Sequence, residues 1–396
     1  MELGWIDFSK AHKSKVLSVI NLLTEPGAVD ELGVGTIRDG FSDLFFPGTS
    51  TIQTRAKYFL LVPYLMIEVE NEPLRTPDKM MMRLHQKELE VIDLLKGPGV
   101  QGVIGEVSGK KLQRKPSDIY WSGIRRFSIF KEGRMSISDY FKFIHRMKSS
   151  RDRIRSLGNL NQTDDSNDRD DSSAYMGDYL EFWNYPPRKK NFRDQLTMEL
   201  TKEEAVFLKE QITTSVPDSL LGHVLQGNHR SFLEYRYFDD LMDFIPLMPD
   251  RLKADYIMAK GFADFIEGAH IRYNMILSGY QDTNVMEDWE RWVRDISQHG
   301  NYDLEAMFFR LEIKNRSQRQ FLYHLKHAMR NRDYNEMDKL IRAREVQLKG
   351  RKRAKSQDPD EYNYKKWVGI RKLQYRLPNA QQILKDLFEG MGEINV

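Results

Sequence analysis

The chain has 396 residues, 40% hydrophobic and 11% aromatic, which supplies a packed core and excludes a wholly disordered chain. It has no cysteine, so disulfides, thiolate metal sites, cysteine nucleophiles and iron–sulfur clusters are excluded. Its 61 basic and 58 acidic residues leave a net charge of only +3, so an electrostatic partner must be read from the distribution of charge rather than its total.

The N-terminus, "MELGWIDFSKAHKSK", opens acidic and amphipathic, without the basic and apolar regions of a secretory leader. Val16, Val19, Ile20 and Leu23 recur at helical spacing and predict a helix over Lys10 to Leu23. "EPGAVDELGVG" reads as a loop, and Thr36 to Phe46 as a second helix stopped by Pro47-Gly48. Ser50 and Gln53 spell a capping box, predicting a helix from Thr51 that bends or ends near Pro63. The longest apolar run, Tyr58 to Ile67, is much shorter than the about 20 residues that span a bilayer. The expectation is a cytoplasmic protein with no membrane partner.

Met80 to Leu95 carries another helical pattern. Pro116 suits the first turn of a helix reaching about Phe127, and Ile137 to Met147 continues the series. "NQTDDSNDRDDSSAYMGD", Asn161 to Asp178, holds six aspartates and one arginine and reads as a solvated linker. The expected organisation is a helical domain over 1–158, an acidic flexible segment over 159–178 and a helical domain over 179–396 that carries a basic segment at 342–355. Thr201 and Glu204 form a second capping box, and "RLKADYIMAKGFADFIEGAHIRYNMIL" predicts a central buried helix. Strand signals are few. The fold class expected is mainly α and multi-helical, in two halves.

Catalytic motifs are scarce. Gly97, Gly99 and Gly102 spell G-x-G-x-x-G, but a helical pattern precedes them and no βαβ unit surrounds them, so they read as loop glycines. His324 and His327 have metal-ligand spacing, yet Lys326 and Arg330 flank them and no carboxylate accompanies them; neither metal nor cofactor is expected. Asp303, Glu312 and Lys314 loosely match the D…E-x-K pattern of restriction-type nucleases, in which two carboxylates hold a metal and the lysine steadies the attacking water. That pattern needs a strand, and this segment reads as helix.

Three places have the composition of phosphate sites. A helix start at Ser50 would offer free N–H groups, with Thr49, Ser50 and Thr51 as hydroxyl donors and Arg38 and Arg55 as guanidinium forks. The plainer reading of the same residues is a helix cap. Lys110 to Lys131 holds Lys110, Lys111, Arg114, Lys115, Arg125, Arg126 and Lys131 against the single acid Asp118, with Tyr120, Trp121 and Phe127 interleaved. Together with Met80–Leu95 it suggests a helix-turn-helix-like unit presenting Arg125 and Arg126. Arg342 to Lys355, "RAREVQLKGRKRAK", reads as a helix running into a mobile basic arm that includes Arg351, Lys352 and Arg353.

"LGWIDFS", "DELGVGTIRDGFSDLFFPGTSTIQTRAKYFLLVPY", "RKPSDIYWSGI" and "YRLPNAQQIL" resemble a bacterial family carried under a domain-of-unknown-function label. The resemblance implies an antiviral defence component acting beside helicases with phospholipase-D-like nuclease domains. It assigns no catalytic residue. The function expected is therefore a non-catalytic subunit of an antiphage defence complex that binds DNA or RNA, or acts as a scaffold. A metal-dependent nuclease using Asp303, Glu312 and Lys314, and an adaptor docking through its aromatic N-terminal half, are the alternatives.

Overall fold

A computed structural model describes residues 30–74, 76–159, 182–184, 192–357 and 367–392. The predicted helix over Lys10 to Leu23 and most of the acidic segment lie outside these residues. In chain order the α-helices are α1 (Gly35–Phe45), α2 (Tyr58–Asn71), α3 (Pro77–Leu95), α4 (Pro116–Arg126), α5 (Ile137–Asn159), α6 (Lys202–Ser215) and α7 (Leu220–Gln226). They continue with α8 (Asp250–Leu277), α9 (Thr283–Trp292), α10 (Ile296–His299), α11 (Leu304–Arg310), α12 (Arg316–Arg330), α13 (Tyr334–Lys349) and α14 (Leu377–Gly390). Among the described residues the extended structure is one isolated antiparallel bridge, Phe130 to Trp183. The protein is thus mainly α and multi-helical. No helix among these residues is long and apolar enough to cross a membrane.

Packing divides the chain into two compact units, each drawn from separated stretches: 1–42 with 249–375, and 43–248 with 376–396. In the second unit, α2 is buried without interruption from Tyr58 to Met66 and packs against both α3 and α4. It runs through Pro63 to Asn71 rather than ending there. A proline costs a helix about 3 kcal/mol, and burial of Leu60, Leu61, Leu65 and Met66, at roughly 1.5–3 kcal/mol each, outweighs that. Helix starts follow local chemistry. Thr76 accepts the Lys79 N–H before Pro77, and Thr201 and Glu204 complete their reciprocal box. Helices α3 and α4 are connected through 96–115, longer than the 3–4-residue turn that defines a helix-turn-helix.

The first unit is organised on α8, which is buried around most of its circumference from Phe262 to Leu277. Phe41 packs against Phe262 and Tyr375, whose hydroxyl donates to the Ala259 carbonyl at 2.7 Å. Helix α13 lies against α8 and α12.

Candidate nucleic-acid interface

The stretch from Pro47 to Lys57 is a loop, not the first turn of a helix; α2 begins only at Tyr58. Half of the expected capping box forms, since Gln53 Oε1 accepts the Ser50 N–H at 3.2 Å. The backbone groups that a helix would pair internally go elsewhere. Tyr120 Oη accepts the Thr54 and Arg55 N–H groups at 2.8 and 3.0 Å and donates to the Arg55 carbonyl. Asn379 donates to the carbonyls of Thr51 and Gln53, and Arg376 to that of Thr49. The side chains from α4 and from the start of α14 therefore satisfy the loop, and no ladder is needed.

The hydroxyls and the arginine are accounted for in the same way. Thr49 Oγ1 donates to Phe46 and Thr54 Oγ1 to Gly102, both at 2.6 Å. Ser50 Oγ is buried without a partner, and Thr51 is exposed. Arg55 Nε sits 2.9 and 3.0 Å from the two oxygens of Asp386, whose carboxylate also accepts the Ala56 N–H. Asp386 is fully buried and Arg55 nearly so, so this guanidinium is committed to an internal pair. Lys57 is likewise buried on Glu204 at 2.7 Å. Arg38 belongs to the other unit and pairs with Asp39. The geometry fits a structural knot rather than an open phosphate cradle, and neither Asp386 nor the Tyr120 hydroxyl carries a local sequence signal that would reveal it.

The run from Lys110 to Lys131 is different. Lys110 and Lys111, on a 3-10 turn, are exposed, as are Arg126 and Lys131; Arg114, Lys115 and Arg125 are half-buried. Among the described residues none of the seven forms an ion pair. Asp118, the one acid in the run, accepts the Lys115 N–H instead. Arg125 donates to the Gly133 carbonyl at 3.1 Å and lies over the Trp121 ring, which holds its guanidinium at the surface. Trp121 itself is buried against Phe130 and Trp183 and donates to the Met135 carbonyl. Beneath the start of α4, Glu88 Oε1 accepts the Ser117 N–H at 2.6 Å. Burial pushes the Glu88 carboxyl up to about 8, so at neutral pH it does little to offset the nearby Lys115.

The segment over 342–355 is not a mobile arm. Its helix ends at Lys349, and 3-10 turns at Arg351–Arg353 and Lys355–Gln357 follow. The buried carboxylate of Glu345 accepts the N–H groups of Lys355 and Ser356, each at 3.0 Å, and so folds the chain back. Arg344 is buried on the Leu32 carbonyl and Ser317, Lys349 pairs with Glu31 and Glu345, and Lys355 pairs with Glu31. Arg353 donates to the Lys349 carbonyl, and Arg351, Lys352 and Arg353 are the exposed cations of this stretch.

The remaining candidates are placed as follows. Asp303 caps α11 by accepting the Ala306 N–H, while Glu312 and Lys314 occupy the turn and loop after that helix, so the E-x-K lies on no strand. Among the described residues no cluster of three or more His, Asp or Glu has the geometry to hold a metal. His324 and His327 are exposed on α12. Gly102 packs on Arg55, where a Cβ would approach to 2.8 Å. The aromatic side chains Phe41, Phe45, Phe46, Phe59, Phe127 and Phe130 are all buried.

Fold and surface together define a helical protein with a basic run, Lys110 to Lys131, whose seven cations form no ion pair among the described residues. Residues 1–176 match a family of unknown function (DUF6361), in agreement with the resemblance carried by the Pro47–Tyr64 stretch. Neither a curated protein nor a solved structure matches the chain.

Proposed function

We propose that this protein is a non-catalytic, nucleic-acid-binding subunit that tracks phosphates through the face formed by Lys110, Lys111, Arg114, Lys115, Arg125, Arg126 and Lys131. The observation that supports this is the contrast in pairing. The cations Lys57, Lys87 and Arg55 of the same unit are each matched to an acid, whereas none of the seven in this run forms an ion pair. Phosphate contacts of this kind supply affinity and salt dependence, not sequence readout. The sequence resemblance implies the setting, an antiphage defence complex with a helicase or nuclease partner supplying the chemistry.

The test is binding to labelled single- and double-stranded DNA across a salt series. Binding should weaken steeply with salt, and Lys110→Ala, Lys111→Ala and Arg126→Ala should each reduce the slope of log affinity against log salt by about 0.9 on duplex. Absence of binding at low salt, or an unchanged slope in the triple variant, overturns the reading.

A further inference from the structure

The first unit contains a cavity of about 470 Å³ that the basic face does not involve. One wall is aromatic. Trp289 and Trp292 stack at 5.2 Å with 24° between their planes, and His299 stacks on Trp292 at 4.8 Å and 20°. Arg272 caps the far end of this column, 4.9 Å over Trp289, while the bidentate pair with Asp338 holds its guanidinium in place. Trp292 is fixed by its indole N–H on the Asp264 carbonyl at 2.7 Å. Gly268 lies against its ring, where a Cβ would come to 2.3 Å. His299 is the outer member of the stack and lines the cavity. Burial lowers its basicity, so it offers a neutral ring at pH 7.

The rest of the lining is polar. Arg291 on α9 and Arg371 from the chain after Trp367 converge on the one carboxylate of Asp288, and both guanidiniums remain about two-thirds exposed at 67% and 68%. Lys260 neutralises Asp264 at 2.7 Å. Trp367 also lines the cavity, with Arg371 over its ring at 5.3 Å, and its indole N–H is buried without a hydrogen-bond partner.

The acids Asp264, Glu267, Asp288 and Asp295 outnumber Lys260, Arg291 and Arg371, so a bare anion gains little here, and an anionic group is accommodated only where Arg291 and Arg371 share the single carboxylate of Asp288. A purely apolar ligand does not suit it either. The occupant must combine a flat ring, donors for carboxylates and an anionic group for the arginine pair. We propose that this cavity is a nucleotide site, in which a base packs on His299 and its phosphate lies at Arg291 and Arg371. The ribose hydroxyls and exocyclic amines supply the donors. A free mononucleotide and a nucleotide within a single strand share this chemistry. Base stacking on protein rings is sequence-tolerant and is a common mode of strand binding.

The test titrates the full chain with AMP, adenosine, inorganic phosphate and a short oligo(dA), by calorimetry and tryptophan fluorescence. AMP and adenosine should bind saturably and phosphate alone should not. Arg371→Glu should weaken AMP about tenfold, the scale of one charge-assisted hydrogen bond, and spare adenosine. His299→Ala should weaken both by a similar factor. If only the oligonucleotide binds, and both variants weaken it while Lys110→Ala, Lys111→Ala and Arg126→Ala leave the fluorescence change intact, the site takes a base within a strand. Failure of every ligand to bind, or binding unmoved by Arg371→Glu, overturns the proposal. Arg371 is a surface residue, so that variant decides even where His299→Ala does not fold. The basic-face variants report on the other site, so either reading can fail alone.

Discussion

Two stretches of nearly equal basic composition end up in opposite situations. In the unit built from 43–248 and 376–396, Lys110 to Lys131 keeps four cations exposed and three half-buried, none of them in an ion pair. In the unit built from 1–42 and 249–375, Arg342 to Lys355 turns Arg344, Lys349 and Lys355 inward onto carbonyls and the carboxylates of Glu31 and Glu345. The difference lies in the acids, not the bases. Glu345 is one helical turn before Lys349, and Glu31 arrives from far away in sequence; together they hold Lys349 and Lys355, while Arg344 is satisfied by the Leu32 carbonyl and Ser317. Asp118 bonds a backbone N–H and Glu88 is held largely protonated by burial, and no acid forms an ion pair with the cations of Lys110 to Lys131. A run of basic residues marks a phosphate surface only where the fold supplies no counter-charge.

The comparison can be broken first at the buried pairs, where the largest effects are expected. Asp338→Ala strands Arg272 in one unit, and Asp386→Ala strands Arg55 and the Ala56 N–H in the other. Each should cost about 3–5 kcal/mol in denaturant unfolding, because removing one partner leaves an uncompensated buried charge. A cost below 1 kcal/mol at either site would show that its pair is not held out of water.

A smaller effect separates the units by pH. Burial pushes His270 down to about 4 from 6.5, so the folded chain keeps it neutral while the unfolded chain takes up its proton. The stability it contributes is present above pH 6.5 and lost as pH falls toward 4. Burial pushes Glu70 and Glu88 up to about 8 from 4.5, so there the folded chain keeps the proton that the unfolded chain releases. Their contribution is present below pH 4.5 and lost as pH rises through 8. Each limb should be worth a few kcal/mol at most. In Tm measured against pH, His270→Leu should flatten the acid limb and Glu88→Gln the alkaline one; an acid limb that His270→Leu leaves unchanged would assign it to another group.

The smallest effect sharpens the surface contrast. Arg351→Ala with Lys352→Ala removes two of the three exposed cations of the inward-turned stretch. It should change the salt slope of DNA binding by clearly less than the roughly 1.8 expected from Lys110→Ala with Lys111→Ala. Equal changes would mean that the internally paired stretch contributes as much phosphate contact as the unpaired one.

The helices were legible where their signals are local. Thr201 with Glu204, Pro116 at the start of α4 and the long apolar pattern of α8 give the elements found. Ser50 with Gln53 has the same letters as a capping box and closes a turn instead, because Tyr120, Arg376, Asn379 and Asp386 offer its backbone better-placed partners. Three of the stretches that carry the family resemblance meet in that knot, which explains why hydroxyls and an arginine sit between apolar blocks.

By itself the sequence determined the α-rich class, the positions of most helices, the absence of thiol chemistry and the presence of basic runs, since these follow from composition and from contacts within a few residues. Only the tertiary structure decided which runs stay charged at the surface, that Arg55 is buried, and that His299, Arg291, Arg371 and Trp367 surround one cavity. Those outcomes depend on partners up to hundreds of residues distant, Asp386 for Arg55 and Glu31 for Lys349, and on the burial that sets whether Glu88 carries a charge. No local pattern encodes them, because electrostatic pairing is a property of distance in space.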